Sequence, residues 1–282
     1  MPESTMTPDW AAPAAPEGAG YLRATAAAPD RTVVTRACAA SPLRLLTPNV
    51  TPATAWVVMA TLGGGLVGGD VIDLEMDVEP RARVLLLSQA STKVYRSARP
   101  ARQQLHARIG DEALLASLPD PTIAFAASTF EQRQRFDLAA TGSLIALDGI
   151  LAGRQAYGER WAFDRYASRL EVVRGGRPSF VDHVRLDRSD GVVAERMRAF
   201  NVFLLAIAVG PLVAPLVTSW HERIGTTPIE RGADLVASVA PIDAGAALRI
   251  AAESPERALT LLRDVLRPIV ALVGDDPWGR RF

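Results

Sequence analysis

The residues most suggestive of chemistry lie in the run Gly63-Gly64-Gly65-Leu66-Val67-Gly68-Gly69-Asp70. It satisfies the G-x-G-x-x-G spacing of a dinucleotide-binding turn, and a strand-like stretch from Ala55 to Leu62 precedes it. Phosphate binding at such a turn needs a helix directly after the glycines, because the helix N-terminus supplies free N–H groups and the positive end of a dipole. Here the glycines lead into a strand instead: Ile72, Leu74, Met76 and Val78 alternate with Asp73, Glu75 and Asp77, the period of a half-buried strand. The glycines therefore read as a strand connection where two backbones pass close together, with Gly64, Gly65, Gly68 and Gly69 allowing positive φ or close approach. Asp70 stands at the exit. Its carboxylate can offer a hard oxygen to a cation or organise water around one; a structural role, accepting backbone hydrogen bonds in the turn, is the alternative.

The remaining chemical inventory is thin. There is no P-loop motif, so the chain is not a nucleotide hydrolase of that type. His106, His183 and His221 form no i, i+4 pair and none lies near Cys38 in sequence, so each reads as a surface or locally hydrogen-bonded residue. Ser88, Ser91 and Ser128 lack the G-x-S-x-G context of a nucleophile elbow. Asp148 and Glu159 offer two carboxylates of the kind glycoside hydrolysis uses, which sets up the alternative function of an all-β carbohydrate-active hydrolase. Spacing along the chain does not establish their separation, and two solvated loop carboxylates are the plainer interpretation.

Bulk properties limit the partners. The 282 residues are 49% hydrophobic, enough for a sizeable core. Lys+Arg and Asp+Glu both number 31, so no net field holds nucleic acid or an anionic membrane nonspecifically, and partners must be recognised through local patches. A single cysteine rules out an internal disulfide framework or cysteine-rich metal cage and points to the cytoplasm. Residues 1–20, rich in Pro and Ala, read as a flexible extension without the features of a secretory signal, and 21–282 as one domain. Phe200 to Val217 is nearly apolar, but Asn201, Gly210, Pro211 and Pro215 interrupt it. A buried strand ending at Val209 and a helix opened by Pro211, with Leu212, Leu216 and Trp220 on one face, fits better than a membrane span.

The elements that must position these residues are mostly strands. Alternation recurs over Gln103 to Ile109 and, more weakly, Phe130 to Leu138, with breaks at Gly110-Asp111 and Pro119-Asp120-Pro121. Arg169 to Arg174 and Arg177 to Leu186 flank Gly175-Gly176, a hairpin turn dipeptide. Later the period changes. Ser254-Pro255-Glu256 offers a cap, a first-turn proline and a favourable charge ahead of Ala258, Leu261, Leu262, Val265, Leu266 and Ile269, and Pro268 should kink or stop that helix. The expected architecture is a large, mostly β scaffold with about two helices in the C-terminal third.

Four segments stand in order along the chain: the Gly63 to Asp70 run, Ser88-Gln89-Ala90-Ser91-Thr92-Lys93-Val94-Tyr95-Arg96-Ser97, Leu118 to Phe125, and Asp148 through Gly153-Arg154-Gln155-Ala156-Tyr157-Gly158-Glu159. Together they resemble the UreD (also UreH) family of urease accessory proteins. The resemblance extends more loosely from Tyr21 to the late helix and weakens after about Arg188; the ending Pro277-Trp278-Gly279-Arg280-Arg281 matches only in part. It implies a non-catalytic urease maturation factor that binds apo-urease and UreF, with UreG joining through UreF. It also implies no tightly bound cofactor, only nickel in transit through the interior. On this basis Lys93, Tyr95 and Arg96, in a strand over Lys93 to Ser97, and Gly153 and Arg154 are candidate partner-surface residues. Asp70, Asp148 and Glu159 are the candidates for the nickel route. Isolated carboxylates suit transit, because a His/Cys cage would retain Ni²⁺.

Overall fold

The computed structural model describes residues 16–279. Residues 1–15 of the expected extension lie outside that range, as do Arg280 and Arg281; the first strand begins at Ala19. β1 (Ala19–Ala28) and β2 (Arg31–Ala39) pair antiparallel in one sheet, and β3 (Leu43–Leu46) opens a second. The chain then alternates between the sheets. β4 (Ala55–Thr61) lies in the second sheet, β5 (Val71–Val78) in the first and β6 (Arg83–Ser88) in the second. After the short β7 (Lys93–Val94) come β8 (Ala101–Ile109) in the first and β9 (Leu114–Leu118) in the second; after β10 (Thr122–Ala124), β11 (Thr129–Leu138), β12 (Ser143–Leu151) and β13 (Arg165–Arg174) continue the pattern. Within each sheet these strands run parallel, so the chain coils and each turn adds one strand to each sheet.

Antiparallel strands finish both sheets. β14 (Arg177–Asp187) folds back on β13 through Gly175 and Gly176, whose φ values of 55° and 76° are those a tight hairpin needs. Past the one-turn α1 (Val193–Arg196), β15 (Val202–Val209) pairs with β12. The chain continues through α2 (Ala214–Trp220), the hairpin β16 (Leu235–Ile242) and β17 (Gly245–Ala252), α3 (Pro255–Leu266) and α4 (Val270–Val273). The spatial orders are β14-β13-β11-β8-β5-β1-β2 and β16-β17-β15-β12-β9-β6-β4-β3, with β10 beside β12 and β7 beside β10.

Burial explains which strands alternate. Ile72, Leu74, Met76 and Val78 of the first sheet pack on Val84, Leu86, Leu115 and Ala146 of the second, while the intervening residues of the first sheet face outward. That outer face is a lattice of ion pairs. Burial pushes the Asp77 carboxyl up, but hydrogen bonds from Tyr21 (2.5 Å), Arg108 (2.7 Å) and Arg23 (3.1 Å) outweigh it and bring the pKa down to about 2. The second sheet's inner strands are covered on both sides, so they are buried along their whole length, as Leu114 to Leu118 is, and nearly all apolar. On its other face Leu85, Leu114, Ala116 and Ile145 meet Leu216, Trp220, Leu262 and Val265 of the helices.

The helices begin and end where their local chemistry dictates. The Ser254 hydroxyl accepts the N–H of Arg257 at 3.2 Å, Pro255 starts α3, and the helix stops at Leu266, two residues before Pro268. A 3-10 turn at Pro211–Val213 leads into α2, whose Leu216 and Trp220 are buried with Leu212 packed beside them. The Trp220 indole N–H donates to the Val265 carbonyl at 3.0 Å and ties α2 to α3. Phe200 to Val217 is thus a core strand and a packed helix. Among the described residues no helix is long and apolar enough to cross a membrane.

Candidate functional site

The turns that leave the parallel strands at one end of the coil interlock. Gly63 and Gly64 make the turn after β4 with φ of 85° and 72°. Next, Leu66 lies against the segment after β6: its N–H donates to the Lys93 carbonyl at 2.7 Å, and the Tyr95 N–H donates back to the Leu66 carbonyl at 2.9 Å. The backbones meet this closely because Gly65 has no side chain; a Cβ there would lie 2.6 Å from the Lys93 oxygen and 2.7 Å from the Tyr95 ring. At Gly68 a Cβ would lie 1.5 Å from the Ser97 hydroxyl, and Gly69 combines a φ of 95° with the Arg99 guanidinium 2.8 Å away. The strand expected over Lys93 to Ser97 is regular only at Lys93–Val94. Beyond Val94 its backbone partners are loop residues, Leu66 and then Ala127, rather than a continuous strand.

On its other side the same segment meets β10 and the turn after β12. The Phe125 N–H donates to the Val94 carbonyl at 3.0 Å, and the Tyr95 ring stands edge-on to Phe125 with centroids 5.2 Å apart. The Arg154 guanidinium lies 4.2 Å from the Phe125 centroid and 5.1 Å from that of Tyr157, within cation–π range. Its other contacts are with Glu159, in a two-armed pair with one arm at 2.9 Å from Nε. That pair is the main cause of the lowered Glu159 pKa, helped by the Ala126 N–H at 3.3 Å. Gly153, with φ of 100°, makes room for the Glu159 carbonyl, 2.4 Å from where a Cβ would be. Lys93 and Arg96 are exposed, and exposed Leu62, Val67 and Tyr157 add apolar surface on these same turns.

The three carboxylates proposed for a cation occupy different settings. Asp70 accepts the Val67 N–H at 2.8 Å, so its side chain closes the glycine turn. Glu159 is held by Arg154. Asp148 points between the sheets, where it accepts hydrogen bonds from Ser168 (2.5 Å), Gln132 (2.9 Å) and Tyr166 (3.3 Å); burial nevertheless raises its pKa above the ordinary value. Asp148 and Glu159 share no hydrogen-bond partner, and no cluster of three or more His, Cys, Asp or Glu able to hold a metal occurs among the described residues.

Sequence reasoning missed the polar lining around Asp148. Gln103, Gln132 and Gln134 are in phase with the inward Leu105, Phe130 and Phe136, and Ser117 and Ser168 also face the space between the sheets. The Ser117 hydroxyl and the Gln134 amide nitrogen have no protein hydrogen-bond partner there. The signal was available: polar residues occupy inward positions of strands that otherwise alternate. Asp120 was also missed as chemistry. It lines a crevice under α3 together with Asp148, Arg263 and Trp278, and burial raises its carboxyl pKa against the opposing pull of Arg263.

The interlocked end is built from the segments that carry the family resemblance. A family model described as "UreD urease accessory protein" matches residues 17–280. The chain belongs to the UreD family. The urease accessory protein UreD of Sorangium cellulosum is 44% identical over 241 residues, covering 85% of this chain and 77% of that protein. UreD of an Anaeromyxobacter species is 43% identical over 240 residues, covering 84% and 81%. Urease accessory protein D of Arabidopsis thaliana is 30% identical over 266 residues, covering 83% and 90%. Membership in the UreD family makes this chain a urease accessory protein and implies a non-catalytic maturation factor. The hydrolase alternative loses its motivation, since Glu159 is tied to Arg154 and Asp148 is buried among hydrogen-bond donors.

Proposed function

We propose that this UreD-family chain binds apo-urease and UreF, with UreG joining through UreF, and helps conduct nickel to the urease active site. The observation that carries the reading is the convergence of the Gly63–Asp70, Lys93–Ser97, Phe125 and Gly153–Glu159 segments into one hydrogen-bonded end that leaves Lys93, Arg96 and Tyr157 exposed. A scaffold needs such a surface, preorganised so that little entropy is lost on docking. The polar lining supports the nickel part. Oxygen and amide groups spaced along the interior, with Asp148 among them and Asp120 at a crevice, bind a divalent cation weakly enough to release it, as transit demands.

Coexpression with urease subunits and UreF tests the surface. The Lys93→Ala and Arg96→Ala double variant should keep the circular dichroism and melting temperature of the wild type while recovering much less UreF and urease on affinity purification. Undiminished recovery of both partners would remove this end as the docking surface.

Asp70 we place on or beside the nickel route, in addition to its turn-closing bond. The conservative pair of variants separates these roles. Asp70→Asn keeps an oxygen for the Val67 N–H and removes the charge, whereas Asp70→Ala removes both. A role on the route predicts that both variants assemble but load urease with less nickel. Normal nickel content with Asp70→Asn, together with lost stability in Asp70→Ala, would leave Asp70 as a turn residue only.

A further inference from the structure

Among the described residues, and apart from the two-residue β7 at the end of its side branch, four strands end the two sheets, and three of them carry features that discourage pairing with another chain. β14 has Arg177, Pro178, Asp182, Arg185 and Asp187 along its length, and its ladder with β13 is bulged at Val172/Val173. β2 carries Arg31 and Arg36, and its pairing with β1 shifts register twice. β3 is four residues long. β16 has a proline only beside its turn and none of these protections from Leu235 to Ala240. Leu235-Val236-Ala237-Ser238-Val239-Ala240-Pro241-Ile242 is eight residues without a charge, in unbroken register with β17. Its one interruption is Pro241, beside the turn, and a proline in a sheet directs its missing N–H away from the neighbouring strand. Antiparallel ladders alternate inward and outward backbone groups, so Val239, Ala237 and Leu235 direct their N–H and C=O groups out of the sheet edge.

We propose that β16 is a self-association edge, on which two copies of this chain pair antiparallel about a two-fold axis through Ala237 and continue the second sheet from one protomer into the other. In that register Ala237 meets its symmetry mate and Leu235 meets Val239 of the partner subunit, so the outward groups of all three positions exchange hydrogen bonds. Val236 then lies opposite Ser238 of the partner subunit. Pro241 falls beyond the paired stretch. A two-fold interface requires a patch complementary to itself, and an uncharged strand meets that condition because no charge faces its own copy. The same lack of charge leaves nothing to recognise an acidic or basic peptide. This inference is independent of the nickel reading.

Sedimentation velocity of the full chain over a concentration series tests it. The expected result is a concentration-dependent rise toward twice the 30.2 kDa monomer mass. Ala237→Pro removes an outward N–H, and Ser238→Lys places an edge lysine at an exposed position. Ala237→Pro should weaken association about ten-fold or more, the loss of the two hydrogen bonds its N–H groups make across the two-fold axis; Ser238→Lys should weaken it by setting two lysine charges near each other on one face of the joined sheet. Circular dichroism monitors folding, and Ser238→Lys keeps the test valid if the proline variant unfolds. A monomer at every concentration, or a dimer of unchanged strength in Ser238→Lys, would overturn the proposal.

Discussion

Gly68→Val should leave little folded, soluble protein. A Cβ at this position would lie 1.5 Å from the Ser97 hydroxyl and 2.5 Å from the Arg99 carbonyl, and the second contact is with backbone, which cannot swing aside. Overpacking of a tight site costs about 1–3 kcal/mol where side chains can adjust, and more where they cannot. A loss of about 3 kcal/mol would lower the melting temperature by roughly 5 °C in a chain of this size. Gly65→Val belongs to the same class, because the Lys93 carbonyl lies 2.6 Å from its added carbon. Gly64→Val has open space around it and bears only the strain of a φ of 72°, about 1–2 kcal/mol. Thermal unfolding of the three variants should therefore rank Gly68 and Gly65 well below Gly64. Ser97→Gly in the Gly68→Ala background should recover part of the loss, since it removes the nearer obstacle. Wild-type melting and urease activation in Gly68→Val would show that the close approach is not required.

Replacing Asp148 should separate structure from transport. Asp148→Ala strands the Ser168, Gln132 and Tyr166 donors between the sheets, which costs about 1–3 kcal/mol. Asp148→Asn keeps an acceptor and removes a charge that burial disfavours. The sign comes from the raised pKa. An acid whose folded-state pKa exceeds its ordinary 3.8 binds its proton more tightly when folded, so the wild type loses stability as pH rises from 3.8 through the folded value. Asp148→Asn should lack that loss and match or exceed wild-type stability at neutral pH. Under the proposed nickel route the same variant should still co-purify with its partners yet leave urease poor in nickel. Normal metal content in urease matured with Asp148→Asn would exclude the carboxylate from the route, and a melting temperature as low as that of Asp148→Ala would show that a single amide oxygen cannot replace the carboxylate as acceptor for the Ser168, Gln132 and Tyr166 donors.

Much of the first sheet was legible in the amino-acid sequence because one of its faces is wet. Ile72 to Val78 and Gln103 to Ile109 alternate for that reason, and their inward residues are the buried ones. The Gly175-Gly176 turn, the Ser254 cap and the stop before Pro268 were equally readable, since each is set by local backbone chemistry. β6 and β9 gave no alternating signal. The second sheet is covered by the first sheet on one side and by helices on the other, so both faces of its strands are apolar.

By itself the sequence determined the family, the mostly β character and the residues of the glycine turn, because these depend on residue type and order. Only the tertiary structure decided what those residues face. It set Gly65 and Gly68 against a segment about thirty residues away, stacked Arg154 on Phe125, and turned Asp148 toward Gln132 and Ser168 inside the sandwich. It also left β16 as an uncharged edge. The reason is geometric: the coil brings together strand ends that are distant in sequence, and which face of a strand is enclosed depends on the layer that covers it.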